Sequence, residues 1–134
     1  MILNISEAAN LGIHALAYLA RHSSEAPVTT ASIAASYGVS EAHLSKVFQR
    51  LSKAGLVKSV RGPHGGFKLS RAPGKITLRE IYEALDGPLG KKNCLLNKPR
   101  CGLDRCVLGN LLTDVQRRVS DHLSGTTLAD VAAI

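Results

Sequence analysis

The apolar positions near the start of the chain repeat at helical spacing. Ala9, Leu11, Ala15, Leu16, Leu19 and Ala20 fall on one broad face of a helix predicted over residues 6–22, with Arg21 and His22 at its end. Residues 23–27 read as a linker that stops at Pro27. Thr29 or Thr30 is placed to cap a short helix over 31–37, which Gly38 ends. Ser40 then caps a third helix. Leu44, Val47, Phe48 and Leu51 form its apolar stripe at i, i+3, i+4, i+7, opposite a polar face of Glu41, His43, Lys46, Gln49, Arg50 and Lys53. Gly55 closes it.

The period changes after Gly55. Residues 56–61 and 67–70 are two short strand-like runs around the glycine-rich stretch Gly62-Pro63-His64-Gly65-Gly66, which predicts a hairpin. Thr77 and Glu80 have the spacing of a capping box and open a helix through about Leu85. Glycines and prolines interrupt residues 86–101. Helical spacing resumes beyond Leu103 with Val107, Leu108, Leu111, Leu112, Val115, Val119 and Leu123. The expected architecture is mainly α with a small β-hairpin wing: a winged helix-turn-helix plus a long C-terminal dimerisation helix. Three regions follow: a DNA-binding unit over 1–85, a cysteine-bearing sensor loop over 86–106, and a dimerisation helix with a tail over 104–134. No run of 18 apolar residues is present, so no membrane partner is expected. No basic leader or cleavage site opens the sequence, and a cytoplasmic location is expected.

Charge adds a partner to this outline. The 134-residue chain carries a formal net charge of +7. Residues 1–75 hold nine basic and three acidic groups, whereas 76–134 hold eight and seven. From Ala42 to Lys75 there are eight cations and no carboxylate side chain. Such a surface suits a polyanion. Double-stranded DNA is the expected partner: the third helix enters the major groove and the hairpin reaches the flanking backbone or minor groove. Ser40, Ala42, His43, Ser45, Lys46, Gln49 and Arg50 are the expected contacts on the helix, with Arg61, Gly62, His64 and Gly65 on the wing.

Cys94, Cys101 and Cys106 are the chain's three cysteines. An odd count clustered on one loop points to metal or redox chemistry rather than a disulfide framework. Thiolates bind iron–sulfur clusters and zinc, usually with four protein ligands, so three leave one position open. Zinc is the poorer match because tight C-x2-C pairs are absent. Lys91, Lys92, Lys98, Arg100 and Arg105 supply a positive field that favours thiolates. A metal-free thiol–disulfide switch uses the same residues.

The run LSKVFQRLSKAGLVKSVRGPHGGFKLSRAPGKITLREIYEALDG resembles the Rrf2 family of bacterial regulators, as do the N-terminal AxxLGIHALAYLA stretch and the late cysteines. The resemblance spans nearly the whole chain, and the RGPxGGF wing is specific to it. It implies a dimeric winged-helix repressor or activator that reads DNA through Ser40–Gln49 with Arg61 as the wing arginine. Several members hold an iron–sulfur cluster, so a [2Fe–2S] or [4Fe–4S] cluster is implied on Cys94, Cys101 and Cys106. The family's iron–sulfur regulator has a glutamate on the reading helix where this chain has Ser45, which implies a different target sequence. Some relatives take a fourth ligand from a histidine three residues after the last cysteine, which here is Gly109. Others use a carboxylate of the first helix, where Asn10 falls. Glu7, Asn10 and His14 share one helical face and are the candidates for that position.

The stripe Leu108, Leu111, Leu112, Val115, Val119 and Leu123 offers a surface for a second copy or for the chain's own core. A two-fold dimer would read a pseudo-palindromic operator. No nucleophile elbow, phosphate loop or HExxH motif appears, so an enzyme is not expected. A cysteine-rich redox or electron-transfer protein remains as a rival from another class, though it would have no use for the basic helix and wing.

Overall fold

A computed structural model describes residues 4–22, 26–63, 65–90, 94, 96 and 101–134. Helix α1 runs Glu7–Arg21, α2 Thr30–Tyr37 and α3 Glu41–Lys53. Strands β1 (Val57–Val60) and β2 (Gly66–Leu69) follow, then a 3-10 turn at Pro73–Lys75 and α4 at Leu78–Asp86. Helix α5 spans Leu111–Gly125 and α6 Leu128–Ala132. The architecture is thus mainly helical with one two-stranded antiparallel hairpin. No helix of the described residues is long and apolar enough to cross a membrane.

Local chemistry sets the boundaries. Ser6, Thr29, Ser40 and Thr77 each accept a backbone N–H of the helix they precede, which satisfies one otherwise orphaned donor. Between α2 and α3, Gly38 adopts φ 64°, a left-handed conformation in which a side chain would be strained. The chain therefore turns sharply and α3 leaves in a new direction. Thr77 and Glu80 form the reciprocal capping box read from the sequence. Burial pushes the Glu80 carboxyl upward. The Thr77 N–H and the Arg71 guanidinium, 2.9 Å away, outweigh it and hold the acid below its usual range.

One core joins all six helices. Leu16, Ile33, Leu44, Phe48, Leu51, Ile76, Ile81 and Leu128 are fully buried. Helix α1 is central and packs on α3, α4 and α6. The apolar stripe of α3 faces inward as its spacing requires. The hairpin joins the same body: the rings of Phe48 on α3 and Phe67 on β2 stack with centroids 4.4 Å apart. Val28, in the α1–α2 linker, pairs with Phe67 through two backbone hydrogen bonds of 2.8 and 3.1 Å. The linker thereby lies along the edge of the wing like a third strand.

The C-terminal part departs from the periodicity in two ways. The long helix begins at Leu111, not near 104; residues 107–110 form turns ahead of it. The residues read as a tail form a further helix. Thr127 caps α6 in a second capping box with Asp130. Thr77 and Thr127 pair in an antiparallel bridge, with Leu78 N–H donating to Thr126 O and Leu128 N–H to Ile76 O, each at 2.9 Å. The starts of α4 and α6 are thus tied together, and Leu128 fills the space beneath. Replacing Leu128 by Ala is expected to lower unfolding free energy by about 2–5 kcal/mol, measurable by urea denaturation. A loss below half a kilocalorie would mean that α6 is not docked.

Candidate nucleic-acid interface and cysteine segment

Seating its stripe leaves the opposite side of α3 in water. Ser40, Ala42, His43, Lys46, Gln49 and Arg50 are exposed and Ser45 is half-buried. Ser40 spends its hydroxyl oxygen as an acceptor for the His43 N–H at 3.3 Å. His43, Lys46 and Gln49 lie on the outer surface without a salt-bridge partner among the described residues. Arg50 is placed differently: its guanidinium donates to the Leu85 carbonyl at the end of α4.

The wing continues this surface. Arg61 and Gly62 are exposed at the hairpin tip and Gly65 is half-buried; His64 lies outside the described residues. Gly62, with φ 126°, turns the chain, and its carbonyl accepts the Gly65 N–H at 3.0 Å. Gly66 is required for a different reason. A Cβ there would stand 2.4 Å from the Val28 carbonyl oxygen, so only glycine lets the linker strand approach. The register places Lys58 of β1 directly opposite Lys68 of β2. Like charges at opposed positions destabilise a hairpin, and neither has a carboxylate partner among the described residues. A small cleft of about 310 Å³ between α3 and the wing is lined by Gln49, Ser52, Lys53, Ser59 and Phe67. From Lys46 to the hairpin tip, the face is cationic, dotted with hydroxyl and amide groups, and free of acids. Hydrogen-bond donors and positive charge in that arrangement suit a phosphate backbone.

Glu7, Asn10 and His14 do share a face. With Leu11 they form one wall of a cleft of about 540 Å³, and Tyr37, Gly38, Val39, Ser40 and His43 form the other. His14 Nδ1 is 2.8 Å from the Asn10 carbonyl, and the Tyr37 hydroxyl donates to the His14 carbonyl at 3.0 Å. Burial raises the Tyr37 phenol above its usual range, with Arg21 opposing and Tyr18 adding to the shift. No cysteine lines this cleft.

Cys94 is half-buried, and Cys101 and Cys106 are exposed; all are free thiols. Each of two sulfurs accepts a backbone N–H two residues on: Leu96 to Cys94 and Leu108 to Cys106, both at 3.4 Å. Among the described residues no three side chains already form a metal cage. Lys91, Lys92, Lys98 and Arg100 lie outside the described residues, while Arg105 is exposed.

The α5 stripe divides. Leu112 and Leu123 are buried within the chain, and Val115 and Val119 are half-buried. Leu108 and Leu111 are exposed, as are Leu103 and Val107, the last at 82%. Sequence periodicity cannot separate these groups, because both recur at the same spacing. It also missed the Arg50–Leu85 contact, which depends on where α4 ends relative to α3.

A family model described as Rrf2, iron-dependent transcriptional regulator, matches residues 5–134. The chain is 33% identical over 129 residues to the HTH-type transcriptional regulator IscR of Xenorhabdus nematophila, covering 96% of this chain and 79% of that protein. Among solved structures, the global cysteine regulator CymR of B. subtilis is similar with a TM-score of 0.83 at 32% identity, covering 98% of this chain and 97% of the other. IscR of T. potens is similar with a TM-score of 0.75 at 36% identity, covering 96% and 85%.

The opposed lysines give a test with two opposite signs. Replacing Lys58 by Thr is expected to stabilise the protein slightly, by about 0.2–1 kcal/mol in thermal unfolding. The same change is expected to weaken binding to duplex DNA and to lower its salt slope by about 1. Unchanged binding would remove the wing from the interface.

Proposed function

Because the chain belongs to the Rrf2 family of transcriptional regulators, we propose that it acts as a homodimer on a pseudo-palindromic operator and that Cys94, Cys101 and Cys106 set its affinity. It is a DNA-binding regulator and not an enzyme. The observation that carries the DNA assignment is the acid-free cationic face running from Lys46 of α3 to the wing, with Lys58 set against Lys68. In this reading Ala42, His43, Ser45 and Gln49 face base edges, and Lys46, Lys53, Lys58 and Lys68 hold phosphates. Arg61 and the Gly62–Gly65 tip enter the flanking groove. The work takes place on chromosomal DNA in the cytoplasm.

The second copy covers the exposed apolar side chains ahead of and on α5. Leu103, Val107, Leu108 and Leu111 together supply the patch, and burying it against its own copy removes apolar surface from water. Two reading heads then face successive turns of the duplex.

The donor set suits an iron–sulfur cluster. Three thiols lie within thirteen residues, and the Cys94 and Cys106 sulfurs each accept a backbone N–H, as cluster-ligating sulfurs do. Cys94, Cys101 and Cys106 would hold the cluster, with Glu7, Asn10 or His14 as candidates for the remaining position. When bound, it supplies a redox-labile staple across the segment between α4 and α5. The chain's own part is to present the thiols on the segment between Gly87, where α4 ends, and the start of α5. The exposure of Cys101 and Cys106 favours a second reading, in which the same thiols respond by disulfide formation without metal.

Two measurements test these assignments. Ala at Lys46 or Arg61 is expected to weaken duplex binding and reduce the salt slope by about 1 each; wild-type binding in both would overturn the interface. Protein purified without oxygen is expected to show visible charge-transfer absorption with matching iron and sulfide, lost in Cys101→Ser. A colourless, iron-free product whose operator affinity changes on thiol oxidation would select the disulfide reading.

A further inference from the structure

The last turn of α4 is the turn from which the cysteine segment departs. Gly87, with φ 83°, takes the chain out of the helix and Pro88 prevents its return. If α4 continued, Leu89 N–H would bond the Leu85 carbonyl. Instead it donates to Glu83 Oε1 at 3.4 Å. The Leu85 carbonyl is left to a partner outside the helix, and that partner is Arg50 of α3. A guanidinium at a helix C-terminus is favoured both as a donor and by the helix dipole.

The neighbouring acids are engaged as well. Asp86 stands at the negative end of α4, where a carboxylate is disfavoured. It is held there by the start of α1: Ser6 N–H donates to one oxygen at 2.9 Å and the Ser6 hydroxyl donates to the other. Glu83 Oε1 also accepts Arg79 Nε at 2.9 Å, and Arg79 reaches the Ser120 and Ser124 hydroxyls of α5 at 3.3 Å each. Residues Glu83–Asp86 therefore touch Ser6 at the start of α1, Arg50 of α3 and the first residues leading to Cys94, and they reach α5 through Arg79.

We propose that Arg50 is a positioning residue that transmits the state of the cysteine segment to the reading helix through the Leu85 carbonyl. The proposal rests on the regulator reading above. Arg50 lies one turn beyond Lys46 on α3, so its anchor fixes the C-terminal half of the helix against α4. A pull on Gly87–Leu89 displaces the carbonyl, and α3 tilts with it. Cysteine state and DNA then bias one element from two sides, which makes their effects reciprocal. Arg50 acts through α4 and not through a phosphate, which separates it from Lys46.

The test uses the full chain and a fluorescent duplex that the reduced protein has selected from a random-sequence pool. Affinity is measured before and after N-ethylmaleimide alkylation of the cysteines, in wild type, Arg50→Ala and Arg50→Lys. Alkylation is expected to change wild-type affinity about tenfold, within the usual range of such coupling. Arg50→Ala is expected to shrink that response below about twofold while the reduced variant keeps the wild-type salt slope. Arg50→Lys is expected to recover most of the response, since an ammonium also donates to a carbonyl. An Arg50→Ala response equal to wild type overturns the link. A salt slope lower by about 1 in reduced Arg50→Ala also overturns it, by making Arg50 a backbone contact. A wild type blind to alkylation overturns the sensing reading itself, and the link with it. Circular dichroism of each variant confirms that the fold is retained, which an exposed arginine at this position should not disturb.

Discussion

The inward seating of Leu44, Val47, Phe48 and Leu51 governs the rest of the molecule. These four side chains are buried, and together they remove enough apolar surface from water to outweigh the cost of holding a polar helix at the edge of the body. Everything on the other side of α3 follows. The helix has one inner stripe, so His43, Lys46 and Gln49 have to face outward. Phe48 also reaches past its own helix to stack on Phe67, so the same hydrophobic contact that fixes α3 fixes the wing. Helix α3 and the hairpin are held in one relation by this aromatic pair together with the buried Leu51, Leu56 and Val57 in the same core.

Against that rigid frame the charges are arranged at a cost to the free protein. Lys58 faces Lys68 across the hairpin. The carboxylates that form salt bridges sit elsewhere, on α4 and α5. A chain selected only for stability would place an acid beside one of these lysines. No carboxylate among the described residues relieves the repulsion. Under the proposed DNA reading, stability and binding pull in opposite directions at the same two residues.

Much of this was legible in the sequence because local rules act within a few residues. Ser40, Gly38 and the 44–51 stripe define the helix-turn-helix without any knowledge of distant contacts. The Gly62–Gly66 stretch and the Thr77/Glu80 box do the same for the hairpin and α4. What escaped depends on distance along the chain. The segment Thr127-Leu128-Ala129-Asp130 repeats the pattern of Thr77-Leu78-Arg79-Glu80, with an acid three residues after a threonine. That signal was available, but a helix of five residues has little stability alone and depends on the bridge to Thr77 and the pocket for Leu128. The start of α5 was misplaced because Val107 and Leu108 keep helical spacing within turns. Arg50 looks like any cation on a polar face until the end of α4 is set beside it.

The close approach at Gly66 has a mechanical consequence. Val28 and Phe67 are joined by backbone alone, with no room for a side chain between linker and strand. Repacking of side chains cannot loosen such a joint. The hairpin is therefore braced twice, by ring stacking on α3 and by main-chain bonds to Val28. A side-chain substitution at Phe48 or Phe67 reaches the first brace and leaves the second, which is made of backbone alone.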